Sequence, residues 1–111
     1  MDDLEKEAIY RLHAEFCKTL ADANRLLIIN ELSKGELSVG EIIKRLGLKQ
    51  SNVSKHLAVM RERGLVSRRR DGATAYYSLS DHRISEAIGL LREIHAEQLE
   101  KQMNLAYLIS S

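Results

Sequence analysis

Residues 48 to 70 read Leu48-Lys-Gln-Ser-Asn-Val-Ser-Lys-His-Leu-Ala-Val-Met-Arg-Glu-Arg-Gly-Leu-Val-Ser-Arg-Arg-Arg70, and the reading of this stretch decides the fold. Its first part is a short amphipathic helix. With Gln50 set at 0°, Val53, Leu57 and Met60 fall between roughly 280° and 340°, while Ser51, Ser54, Lys55 and Ala58 fall between roughly 40° and 140°. The first group can pack on other helices, which leaves a face of small polar side chains free for a partner. Gly64 closes the helix, and a strand ending in three arginines follows. From Lys49 to Arg70 there are seven Lys or Arg against one acidic residue, Glu62, in a chain of formal net charge +1. A local excess of that kind fits a phosphate backbone.

On the N-terminal side, Ser38-Val-Gly-Glu41 has the form of a capping box, opening a helix with Ile42, Ile43 and Leu46 inward and Gly47 at its C-terminus. Gly47 to Gln50 is then a tight link between two short helices, the spacing of a helix-turn-helix. On the C-terminal side, Asp71-Gly72 stands between two strand-like runs and predicts a two-residue hairpin loop, with Arg70 opposite Ala73, Arg68 opposite Ala75 and Val66 opposite Tyr77. Val66, Tyr77 and Leu79 then face the core near the base, and Arg68, Arg69 and Arg70 reach the tip. A basic hairpin beside a groove-reading helix is a winged helix.

Farther out, Leu4, Ala8, Ile9, Leu12, Phe16 and Leu20 lie on one arc and predict an amphipathic helix over residues 3 to 20. Asp22 caps a second helix through the apolar run Leu26 to Ile29 and Leu32, stopping at Gly35, and that run reads as central core. From Asp81 a long helix is marked by Ile84, Ile88, Leu91, Ile94, Leu99 and Met103. It carries five acidic and three basic residues, so it is not expected on DNA. It is too apolar to be covered by so small a domain, and with the first helix it predicts an isologous dimer interface.

The expected architecture is therefore mainly α with a small β-hairpin, one winged helix-turn-helix domain over 1–111. Within it, 1–21 and 81–111 are dimerisation helices, 38–63 the helix-turn-helix and 64–80 the wing. Length and composition agree: 111 residues, 44% hydrophobic and 30% charged, make one folded domain, and the lack of proline favours helices with short links. One cysteine, a charged N-terminal region without a signal-peptide core and no long apolar run predict a cytoplasmic protein with no membrane partner. No glycine loop for phosphates, no metal-ligand quartet and no nucleophile with a base is present, so neither catalysis nor a cofactor is expected.

Between Phe16 and Leu79 the chain resembles the small winged-helix repressors of the arsenic-repressor (ArsR/SmtB) type. The matching segments are Leu20-Ala-Asp-Ala-Asn-Arg-Leu, Glu36-Leu-Ser-Val-Gly-Glu, Gln50-Ser-Asn-Val-Ser-Lys-His-Leu, Arg63-Gly-Leu-Val and Tyr76-Tyr-Ser-Leu. The resemblance implies a homodimeric transcriptional repressor on an inverted-repeat operator of double-stranded DNA, released by an effector, with Gln50, Ser51, Ser54 and Lys55 reading bases. Arg68, Arg69 and Arg70 are expected to supply affinity through phosphates. Two departures concern the scaffold: Ala23 stands where many relatives have proline, and Lys49 where the recognition helix is usually capped by Ser or Thr.

The other departures concern sensing. The family's third-helix metal site uses cysteines where this chain has Ser38 and Gly40. For its last-helix site, Asp81 matches, but Arg83 and Ile94 occupy ligand positions. His82 and His95 are 13 apart, about 220° around a helix, where a separation of 11 gives about 20°. Neither metal site is expected. His13 and Cys17, four apart, could give two soft-metal ligands, which falls short of a closed site; bordering the apolar arc is the simpler account of both. His56 falls beside Met60, where packing or a backbone hydrogen bond is expected. The competing readings are a winged-helix protein-interaction module, whose basic patch meets an acidic protein, and a constitutive regulator without a small-ligand sensor.

Overall fold

The computed structural model describes residues 1–110. Its elements are α1 (Asp3–Leu20), α2 (Ala23–Leu32), β1 (Leu37–Ser38), α3 (Val39–Leu46), α4 (Gln50–Glu62), β2 (Val66–Asp71), β3 (Thr74–Leu79) and α5 (Arg83–Ser110). They divide into two compact units, Met1–Asp81 and the helical unit from His82 on.

The helix boundaries follow their caps. Asp2 accepts the Glu5 N–H at 2.8 Å to start α1, and Asp22 accepts the Arg25 N–H at 3.0 Å to start α2. At α3 the capping box is complete: Ser38 Oγ accepts from Glu41 N at 3.2 Å and Glu41 Oε1 accepts from Ser38 N at 3.1 Å. Lys49 precedes α4 without any side-chain cap, as its chemistry requires. At the other end of α4, Gly64 takes φ +76, the left-handed conformation that L side chains resist. Its N–H donates to Arg61 O at 3.1 Å and the Leu65 N–H to Met60 O at 2.8 Å, the paired bonds of a Schellman motif. Met60 and Leu65, which accompany that motif, are both fully buried.

The first unit buries Ile28, Ile29, Leu32, Leu37, Ile42, Val53, Leu57, Met60, Leu65, Val66 and Tyr77. The buried face of α4 is thus the one its periodicity assigns. The α2 run is only half core: Leu26 and Leu27 are exposed, at 37% and 47%. On α1 the expected arc lies open, with Leu4, Ile9 and Leu12 exposed and Thr19 the buried residue.

Three antiparallel strands form the sheet in the order β1-β3-β2. β1, two residues long, was not expected; nothing in Leu37-Ser38 separates a strand from the lead-in to a helix. The hairpin register also differs from expectation. Asp71 pairs with Thr74, Arg70 with Ala75, Arg68 with Tyr77 and Val66 with Leu79, so the loop is Gly72-Ala73 in place of Asp71-Gly72. Gly72 alone has positive φ, +62, which suits the first position of a type II′ turn; a type I′ turn over Asp71-Gly72 would need both residues there. The slip spans two residues of pairing, so every side chain keeps its face, and Val66 and Tyr77 stay buried.

The helical unit is α5, which buries none of its residues; Leu90, Leu91, Ile94, Leu99 and Met103 are each at least half exposed. No helix among the described residues is long and apolar enough to cross a membrane.

Two cap substitutions test these boundaries by urea unfolding. Ser38→Ala removes the capping box and is expected to cost about 1 kcal/mol, whereas Lys49→Ser supplies the missing cap of α4 and is expected to stabilise by about 0.5–1 kcal/mol.

Candidate nucleic-acid interface

The solvent side of α4 carries Gln50, Ser51, Ser54, Lys55 and Ala58, all exposed. Serines and an alanine keep that face low, so a helix 10–12 Å across can approach the floor of a groove about 12 Å wide. Glutamine offers the paired donor and acceptor that adenine matches, and lysine reaches guanine or phosphate.

The orientation of α4 is set on its other side. Beyond the packing of Val53, Leu57 and Met60, a polar cluster ties its middle to the α1–α2 junction. Arg25 Nε donates to Thr19 O at 2.6 Å, at the end of α1. Arg25 Nη1 lies 3.5 Å from His56 Nδ1, and His56 Nε2 lies 3.8 Å from Asp22 Oδ1. The ring of His56 is thus half-buried against Arg25 and Asp22 at the α1–α2 junction, in line with the packing expected of it. The pairing joins residues 31 apart, which no local spacing reveals.

The hairpin divides its arginines. Strand alternation puts Arg68 and Arg70 on one face and Arg69 on the other. Arg68, with Ala58, Arg61, Glu62 and Tyr77, lines an open groove of about 370 Å³ between α4 and β2. Arg61 was not singled out from sequence, although helical spacing puts it at about 20°, next to Ser54. Arg69 is engaged elsewhere. Its Nε donates to both Glu36 oxygens, at 3.0 and 3.1 Å, and its Nη2 to Glu36 Oε1 at 2.6 Å. The guanidinium lies 4.7 Å from the centroid of the Tyr76 ring. Hydrogen bonding to Glu36, then its charge, holds Arg69 above even the usual guanidinium range. The expected group of three free arginines at the tip is thus two on one face and a neutralised third on the other. Among the described residues, Lys49, Lys55, Arg68 and Arg70 make no ion pair.

His13 and Cys17 are both exposed on α1. Among the described residues no group of three or more His, Cys, Asp or Glu could hold a metal ion. His82, just before α5, faces Glu86 at 3.6 Å, and His95 on α5 faces Gln98 at 3.3 Å.

Comparison with known proteins agrees with this geometry. Residues 22–68 match the arsR family of bacterial regulatory proteins, a span running from the α2 cap into β2. The transcriptional activator HlyU of Vibrio cholerae is 41% identical over 80 residues, 72% of this chain and 74% of the relative. A biofilm growth-associated repressor of Xylella fastidiosa is 36% identical over 101 residues, 91% of this chain and 86% of the relative. Among solved structures, a homodimeric winged helix-turn-helix DNA-binding domain of Mycobacterium bovis superposes with a TM-score of 0.78 at 30% identity, covering 90% of this chain and 92% of that one.

Two carboxylates in this scaffold sit below their ordinary range: Asp22 chiefly through the Arg25 N–H, helped by the charges of His56 and Arg25, and Glu41 through the backbone and hydroxyl of Ser38. A carboxyl lowered on folding contributes stability above the unfolded value, and that contribution is lost as pH falls through the folded one. Urea midpoints are therefore expected to drop as pH is lowered through about 4 and below. In Asp22→Asn/Glu41→Gln the acid limb should be shallower; an unchanged limb would show that other groups drive it.

Proposed function

The chain belongs to the arsR family of bacterial regulatory proteins, and from that premise we propose that it is a cytoplasmic, homodimeric, sequence-specific repressor reading an inverted-repeat operator in double-stranded DNA. Its function is transcriptional regulation rather than catalysis. The observation that carries the reading is the low polar face of α4 beside a groove lined by Arg61 and Arg68. In this reading Gln50, Ser51, Ser54 and Lys55 meet base edges, and Arg68 and Arg70 meet phosphates. Repression is the reading taken because several relatives are repressors, one of them matching 91% of this chain.

Dimerisation is supported by apolar surface without cover: Leu4, Ile9 and Leu12 on α1, Leu27 on α2, and the α5 residues from Leu90 to Ile109. At about 25 cal/mol per Å² their exposure in a lone chain is costly. In this reading a two-fold dimer sets two α4 helices about 34 Å apart, one turn of DNA, which is the geometry an inverted repeat requires. The Mycobacterium bovis winged helix-turn-helix domain, 30% identical to this chain, is homodimeric. Release by an effector belongs to the same reading.

Band-shift titrations on the DNA upstream of its own gene, at several salt concentrations, test the proposal. Affinity should fall steeply with salt. Arg68→Ala should weaken binding to every sequence and flatten the log–log salt slope by about 0.9 per chain. Gln50→Ala and Ser54→Ala should cost about 1–3 kcal/mol on the operator and little on random DNA. No retardation even at low salt would remove the DNA reading and leave the interaction module in its place.

A further inference from the structure

The Glu36–Arg69 pair crosses the sheet. Arg69 is on β2, Tyr76 is its partner on β3, and Glu36 lies just before β1, so the guanidinium spans all three strands with the tyrosine ring beneath it. Glu36 occupies the Nε–Nη2 edge. Among the described residues, Nη1 donates to nothing, so one edge of the guanidinium stays open to a further acceptor.

We propose that Glu36 is a built-in competitor for DNA phosphate: it neutralises Arg69 in the free protein and so lowers the affinity of the wing for DNA at large. The proposal rests on the DNA-binding reading above and adds the residue that tunes it. The minor groove is only about 6 Å wide and has a phosphate backbone on each side. A hairpin lying along it meets one backbone with each face. One face presents Arg68 and Arg70; the other presents Arg69 already matched by a carboxylate.

Exposure decides whether phosphate can displace that carboxylate. The side chains of Arg69 and Glu36 are 56% and 34% exposed. An exposed ion pair is screened by solvent and weak, so a seated phosphate can take over the guanidinium at little cost. A buried pair would have held it permanently. Since binding to random DNA is almost wholly electrostatic, masking one cation lowers that background most directly, whereas operator binding also has base contacts to draw on.

The test is fluorescence anisotropy of full-length wild type, Glu36→Gln, Glu36→Ala, Arg69→Ala and Glu36→Gln/Arg69→Ala with a random-sequence duplex across a salt series. Thermal unfolding of each variant reports retention of the fold. Glu36→Gln is expected to bind about two- to fivefold tighter than wild type, with a salt slope steeper by about 0.9 per chain. Glu36→Ala should gain at least as much, and the gain should vanish on the Arg69→Ala background. An equal gain without Arg69 would reduce Glu36 to a distant charge and overturn the proposal. Weaker or unchanged binding by both Glu36 variants would overturn it too, making the pair a brace for the wing. A wild type that fails to bind at low salt would instead remove the DNA reading, and this inference with it.

Discussion

The chain reversal at Gly64 is the constraint on which the rest of the interface depends. A left-handed residue there lets Leu65 turn back onto Met60 while its N–H reaches the Met60 carbonyl, so the strand leaving α4 runs beside the helix it has just left. That one turn puts Arg68 across from Ala58 and Arg61, and makes a groove from two elements adjacent in sequence. A β-branched or bulky residue at φ +76 would be strained, and the hairpin would leave α4 at another angle. The proposed base-reading face and the proposed phosphate-holding face are thus fixed relative to each other by backbone geometry, before any long-range contact contributes.

What was legible in the sequence follows from how local its cause is. Caps at Asp22 and Ser38, the buried stripe of α4 and the Gly64 stop are each written within about one or two helical turns, and each is found where its residues put it. The hairpin was legible as a hairpin, but its loop turned on whether Asp71 would accept positive φ, a small energy that dipeptide preference alone does not decide. Because strand faces alternate with period two, that error left the core assignment intact. The contacts that refine the site escaped because they join distant residues: Arg25 with His56, and Arg69 with Glu36. A run of three arginines carries no mark of which one the fold will neutralise.

The placement of its carboxylates explains how a chain of net charge +1 can present a cationic surface. Its carboxylates are placed where they do structural work: Asp22 and Glu41 on helix N-termini, Glu31 with Lys34 and Arg45, Glu7 with Arg11. Among the described residues, Lys49, Lys55, Arg68 and Arg70 are left without ion pairs around α4 and the wing. Attraction to phosphate therefore arises from segregation of charge rather than from excess, and a single misplaced carboxylate near the wing has a large relative effect.

The same interactions limit where regulation can enter. Within one chain α4 is held by a buried face, by the contact of its His56 with Arg25 at the α1–α2 junction, and by the turn into β2. It has little freedom to tilt alone, since a packed core has discrete arrangements and does not bend by degrees. In the proposed dimer the softer coordinate is the separation of the two α4 helices, governed by exposed apolar residues of α1 and α5. An operator with half-sites one turn apart is sensitive to that separation. A signal that alters how two copies meet can abolish binding without touching any residue that reads DNA. Donors for such a signal need no fixed position in the DNA-binding half, so family membership identifies the reading head and leaves the sensor free to differ among relatives.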